Sequence, residues 1–206
     1  MIEKKMISRI KFFKISILAL LLVLGMSGCG GLLIGGAATV GVASVQERSF
    51  KDATLDMKIK LFIEDKLFIT NTEELFAKVS VSVIEQRVML VGAIASEELR
   101  DKAAEIAWKS PNIKEVLNEI TTGNAASLVD SAKDARISIT LSGLLLTESQ
   151  IADINFTHSV SNQVIYIMGI AQNKKEANMV IHHARTVKGV KKVISHILLK
   201  NDKKRL

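Results

Sequence analysis

Arg87–Gly92 (RVMLVG) and Val164–Gly169 (VIYIMG) read as the same short strand written twice, 77 residues apart. At that spacing Ser96 corresponds to Asn173, Ala104 to Ile181, Ile113 to Val190, Val116 to Val193 and Ile120 to Ile197. Self-similarity at a fixed offset means one supersecondary unit used twice. The fold therefore has to be read as a module and its copy.

Working outward from that strand, Val79, Val81 and Val83 alternate with polar residues, and Val88 and Leu90 continue the alternation, the period of a half-buried strand. Glu85-Gln86 and Ser161-Asn162-Gln163 are polar turns between paired strands. After each glycine comes a helix N-cap, Ser96 or Asn173, with Glu97 and Glu98 in the first turn of the first helix. Leu99, Ala103, Ile106 and Ala107 share one face of that helix. Pro111 stops the helix in the first copy and Gly189 in the second. Short closing strands follow at Val116–Ile120 and Val193–Leu198.

A helix opens each copy. Leu55, Ile59, Phe62 and Ile63 recur at helical spacing, and Ile137, Leu141, Leu144 and Leu145 match them at an offset of 82. The excess over 77 predicts a connection five residues longer in the first copy, around Glu64–Leu75. The expected class is α+β: two tandem αββαβ modules, each a three-stranded mixed sheet packed against two helices. The expected bounds are 50–122 and 131–200, with a turn-rich linker at 123–130 and a frayed basic tail at 201–206.

The N-terminal part has a different character. A basic segment from Lys4 to Lys14 precedes Ile15–Gly25 (ISILALLLVLG), an uncharged run of 11 residues. That run is too short to span a bilayer comfortably and suits a secretory signal. Met26-Ser27-Gly28-Cys29 then resembles a bacterial lipobox, which predicts a signal peptide over 1–28 and a diacylglycerol on the Cys29 thiol. Gly30 follows where Asp would favour inner-membrane retention in similar lipoproteins, so the outer membrane is the expected destination. Residues 29–49 read as the lipidated cysteine and a flexible Gly/Ala-rich tether.

Composition narrows the function classes. One cysteine rules out an internal disulfide, and aromatics at 4% are too few for base-stacking platforms, so no nucleic acid partner is expected. The net charge of +7 falls to +3 once residues 1–28, themselves +4, are removed. His182 and His183 are adjacent on a helix and point apart. His158 and His196 lack paired carboxylate or cysteine ligands, so no metal is expected. No nucleophile-elbow sequence is present, and the expectation is a non-enzymatic protein with no cofactor. Gly92 and Gly169 read as backbone devices, and Trp108 as a packing residue.

The repeat resembles the BON domain family, and within it the dual-BON outer-membrane lipoproteins of the DolP type. The residues that carry the resemblance are Val88–Gly92 and Ile165–Gly169, Ile113–Val116 and Val190–Val193, and Gln46-Glu47-Arg48-Ser49 ahead of the first module. The resemblance implies a periplasmic protein without catalytic residues that binds anionic phospholipid, chiefly through the first helix of the second module, and supports outer-membrane integrity.

The residues agree with that on their own terms. Residues 50–127 carry a net −3, whereas residues 128–206 carry +6. A basic module on a tether is drawn to anionic head groups, at roughly 1 kcal/mol per well-placed Lys or Arg. With Ile137, Leu141 and Leu144 facing the core, Arg136, Ile139, Gly143 and Leu146 fall on the opposite side. Apolar residues beside a cation on a solvent face suit an interfacial helix. Arg136, Ile139 and Leu146 are therefore candidate lipid contacts, with Lys133 beside them and Lys174 and Lys175 at an unfavourable helix start for cations. The competing reading packs Ile139 and Leu146 against module one or a second copy, and makes the basic face a dock for an envelope protein partner.

Overall fold

The computed structural model describes residues 47–123 and 128–205. The segment expected as signal peptide and the expected tether up to residue 46, Cys29 included, lie outside the described residues. Module one consists of α1 (Phe50–Thr70), a single π-helical turn (Thr72–Phe76), β1 (Val79–Ile84), β2 (Arg87–Ile94), α2 (Glu97–Trp108) and β3 (Glu115–Thr122). Module two repeats the order with α3 (Leu128–Thr147), a 3-10 turn (Asp153–Asn155), β4 (Phe156–Ser161), β5 (Val164–Ala171), α4 (Lys174–Thr186) and β6 (Lys192–Leu199). A final 3-10 turn spans Lys203–Arg205. The expected α+β architecture is therefore present twice. α3 starts inside the stretch read as linker.

In each sheet the central strand pairs antiparallel with the strand before it and parallel with the last strand, in the orders β1-β2-β3 and β4-β5-β6. The hairpins close through Glu85-Gln86 (φ 51° and 64°) and Asn162-Gln163 (φ 53° and 65°). Positive φ at both central residues is the geometry of a two-residue type I′ hairpin, whose twist matches the strands it joins. Neither turn uses glycine. A carboxylate holds each one instead: the buried Asp56 accepts from the Glu85 and Gln86 N–H groups at 2.8 Å each, and the half-buried Asp134 from Asn162 at 2.8 Å and Gln163 at 2.7 Å.

These two aspartates correct the sequence register of the opening helices. They sit 78 residues apart, as do the buried pairs Ile59 and Ile137, Ile63 and Leu141, and Leu67 and Leu145. The offset of 82 is one helical turn out. Each helix is followed by eight residues before its strand, so the longer connection expected in module one does not exist. A slip of four residues keeps an apolar stripe on nearly the same face, so periodicity alone cannot detect it.

Ser96 and Asn173 cap α2 and α4 as expected, accepting from Leu99 and Glu176 N–H groups. Gly92 and Gly169 lie within β2 and β5, not after them. A Cβ at Gly92 would run into the Lys78 carbonyl, and one at Gly169 would come within 2.7 Å of the Asn155 oxygen. The glycines let the connection entering each hairpin cross the central strand.

Helices cover one face of each sheet, giving two cores: Ile59, Ile63, Leu67, Val88, Leu90 and Ile106 in module one, and Ile137, Leu141, Leu145, Ile165, Ile167 and Val180 in module two. The other faces do not meet water. Ile84, Met89 and Val91 pack against Tyr166, Met168 and Ile170 in a third core shared by the modules. β2 and β5 are thus buried on both sides, which explains their unbroken apolar runs. The result is four layers, helices outside and two sheets within, inside one compact unit from Val45 to Leu206.

Polar contacts rim the shared core. Arg87 bonds Glu115 at 2.6 Å and the His196 carbonyl at 3.2 Å. The tail expected to fray is docked: Arg205 holds both Glu85 carboxylate oxygens at 2.9 and 2.6 Å and donates to the Glu47 carbonyl at 3.1 Å. Trp108, expected to pack, is 55% exposed.

Candidate membrane-contact site

The outer face of α3 is built by the burial of its inner one. Ile137, Leu141 and Leu145 are at most 2% exposed. Asp134 locks the helix rotation by reaching the β4–β5 turn. With rotation fixed, Arg136, Ile139, Gly143 and Leu146 point away from the sheet. Ile139 is 73% exposed and Leu146 75%, so neither packs against module one. Thr140 and Thr147 turn their hydroxyls back to backbone carbonyls four residues earlier, leaving the surface between the apolar residues without free donors from those side chains.

At the N-terminal half of this face, Lys133, Arg136 and Lys188 converge on an open cleft of about 180 Å³ beside Gln163 and Gly189. Gly189 has φ 97°, and a Cβ added there would lie 3.8 Å from Ile137 Cδ1, so the loop after α4 runs beside α3 here. Lys133 is bonded to Asp130 at 3.0 Å. Lys188 is a site residue that helical spacing along α3 does not reveal; its 55-residue separation from Lys133 hides the juxtaposition. Three cations around a concavity offer several donors and positive charge to one phosphate.

Lys174 and Lys175 are exposed but not part of that cleft. They open α4, which runs antiparallel to α3, and Lys175 donates to Gln150 at 2.6 Å just beyond the C-terminal end of α3. The structure thus places the six candidate residues along one helix pair, the cations Lys133 and Arg136 at one end and Lys174 and Lys175 at the other. Ile139 and Leu146 lie on the exposed stripe between. From Lys133 to Leu146 the strip is about 20 Å long at 1.5 Å per residue.

A larger groove of about 490 Å³ lies between the modules, lined by Lys78, Ser80, Gly92, Ser138, His158 and Ser161. Its walls are small and polar. His158 Nε2 is 3.2 Å from both the hydroxyl and the carbonyl oxygen of Ser138, and burial pushes its pKa below the ordinary histidine value. Ser138 sits within a regular helix turn rather than a strained elbow, so the pair lacks the geometry of an activated nucleophile. Among the described residues no three His, Cys, Asp or Glu side chains are grouped to hold a metal, and no helix is long and apolar enough to cross a membrane.

The BON domain family matches residues 51–124 and 133–201, both modules in turn. The chain belongs to the BON domain family. An uncharacterized protein in the gshII 5′ region of Anaplasma centrale is 37% identical over 151 residues, covering 73% of this chain and 98% of that one. The outer membrane lipoprotein DolP of Haemophilus influenzae is 24% identical over 173 residues, covering 82% and 87%. This is a dual-BON protein of the DolP type. Among solved structures, CdsD, a structural protein of the type III secretion system of Chlamydia trachomatis, aligns at a TM-score of 0.29 and 14% identity over 70% of this chain and 63% of that one, a distant likeness.

Proposed function

We propose that this dual-BON chain is a periplasm-facing outer-membrane lipoprotein, anchored by acyl chains on Cys29, that binds anionic phospholipid through α3 and the adjoining end of α4 and acts without catalysis in envelope integrity. The observation that carries the proposal is the joint exposure of Ile139 and Leu146 on a helix face that begins at the cleft of Lys133, Arg136 and Lys188. An exposed isoleucine and leucine gain by entering the head-group boundary, at about 25 cal/mol per Å² of apolar area removed from water. The three cations meet phosphate at the same depth. The +6 charge of residues 128–206 supplies longer-range attraction. Similarity to an outer membrane lipoprotein supports the location, and the Met26–Cys29 sequence supports the anchor.

Co-sedimentation of the full chain with phosphatidylglycerol and phosphatidylcholine vesicles tests the reading. Binding is expected to the anionic vesicles only. The triple variant Lys133→Glu, Arg136→Glu, Lys188→Glu should bind about a hundredfold more weakly, since three cations near a surface contribute roughly 1 kcal/mol each. Equal binding by the triple variant and the wild type would overturn the reading and favour the adaptor role for the basic face.

A further inference from the structure

Module one exposes a second apolar seam that lipid binding by module two does not use. On α1, Phe50 is 86% exposed, Met57 59%, Leu61 58% and Phe68 50%. Their spacings are seven, four and seven residues, which keeps all four within about 20° of one line along the helix. The buried residues Ile59, Ile63 and Leu67 occupy the opposite side. The seam therefore looks outward, with both sheets between it and the exposed face of α3.

Two features select the occupant. The spacing is palindromic: reversing the helix leaves it unchanged. A second copy of α1 laid antiparallel sets Phe50 against Phe68 and Met57 against Leu61, and the same contacts recur by symmetry, as an isologous two-fold interface requires. The charge beside the seam is also polarised, with Lys51, Lys58 and Lys60 in the first half and Glu64 and Asp65 in the second, where Glu64 pairs with Lys60 at 3.7 Å and Asp65 with Lys66 at 3.1 Å within the chain. An antiparallel copy brings Lys51 to Asp65 of the other chain at both ends. An anionic bilayer would find no net attraction on α1, where Lys51, Lys58, Lys60 and Lys66 are balanced by Asp52, Asp56, Glu64 and Asp65. At each end Phe50 of one copy meets a preformed aromatic pair, Phe68 and Phe76, whose rings stand edge to face at 5.2 Å.

We infer that the seam of Phe50, Met57, Leu61 and Phe68 is a homodimer interface in which two α1 helices pair antiparallel. Four half-exposed large side chains amount to roughly 500 Å² per copy, at the low end of specific interfaces. Lys58 meets its own counterpart near the axis. Both features make the dimer weak and dependent on local concentration. The inference stands independently of lipid binding.

Sedimentation equilibrium of the full chain in non-ionic detergent, over a concentration series, tests it. The wild type should shift from monomer to dimer mass as concentration rises. Leu61→Glu, a change at an exposed position that leaves the circular dichroism spectrum unchanged, should stay monomeric throughout. Lys51→Glu and Asp65→Lys should each weaken self-association about tenfold, and an equimolar mixture of the two should restore it as a heterodimer. A wild type that remains monomeric, or a mixture that associates no better than its components, overturns the inference. Loss of phosphatidylglycerol vesicle binding by Leu61→Glu with a monomeric wild type would assign the seam to membrane instead.

Discussion

His196 Nε2 lies 2.7 Å from Glu119 Oε1, and the two residues are equivalents in the repeat, 77 residues apart on the last strand of each module. Equivalent residues that touch one another sit on a local two-fold axis. The modules are therefore arranged as a dimer covalently joined in one chain, each sheet using its partner's sheet as the cover that water would otherwise occupy. Tyr166 belongs to the same core, and burial together with the Glu119 charge pushes its pKa up.

That arrangement makes module-to-module packing part of the folding unit. Met168, fully buried between the sheets and outside both helix-covered cores, is the position to test. Met168→Asp places an unpaired charge there and should cost more than about 3 kcal/mol. Chemical denaturation should change from one transition to two, as the modules come apart before each unfolds.

The carboxylates that hold the glycine-free turns should matter in both copies. Asp56→Asn and Asp134→Asn each keep one acceptor and lose the charge that receives two backbone N–H groups. Hydrogen bonds to charged groups contribute about 1.5–3 kcal/mol each, so a loss of about 2 kcal/mol is expected from either, read as a lower urea midpoint at unchanged slope.

His158 supplies a pH dependence. Burial lowers its folded-state pKa below 6.5, so the unfolded chain takes up the proton first and the neutral ring contributes stability only above that value. The melting temperature should fall as pH drops from about 6.5 through the folded-state pKa. His158→Gln should flatten that slope above pH 5.5, where carboxylates have yet to titrate.

The tail is predicted to be tied to the start of module one. Its Arg205 guanidinium, with its pKa raised by the hydrogen bonds to Glu85, also reaches Glu47 at the point where the chain enters module one. Arg205→Ala should increase hydrogen exchange at Glu85–Gln86 and at 47–49 while leaving β5 protected.

Most of the module was legible because its signals are local. The strands, the N-caps Ser96 and Asn173 and the polar hairpin turns are written within a few residues of where they act. The register of α1 was not, because that helix is apolar on two sides: Leu55, Ile59 and Phe62 inward, Met57, Leu61 and Phe68 outward. Period alone cannot choose between slipped alignments of such a helix. The repeated aspartate, 29 residues before Glu85 and 28 before Asn162, was the signal that fixes it. The shared core was written in the unbroken apolar runs of β2 and β5, which alternation in β1 led away from. Within the candidate site, Arg136, Ile139 and Leu146 follow from helical spacing. Lys188 needed the fold, because it comes from the loop after α4.

Bilayer contact by the α3 face is measured most directly by fluorescence quenching with brominated phosphatidylglycerol. Trp108, the one tryptophan, sits exposed on module one and serves as the internal control. In the wild type, Trp108 should stay unquenched when the chain binds these vesicles, whereas Ile139→Trp in a Trp108→Phe background should be strongly quenched. A residue-139 tryptophan that keeps its full emission on bound vesicles would contradict the account.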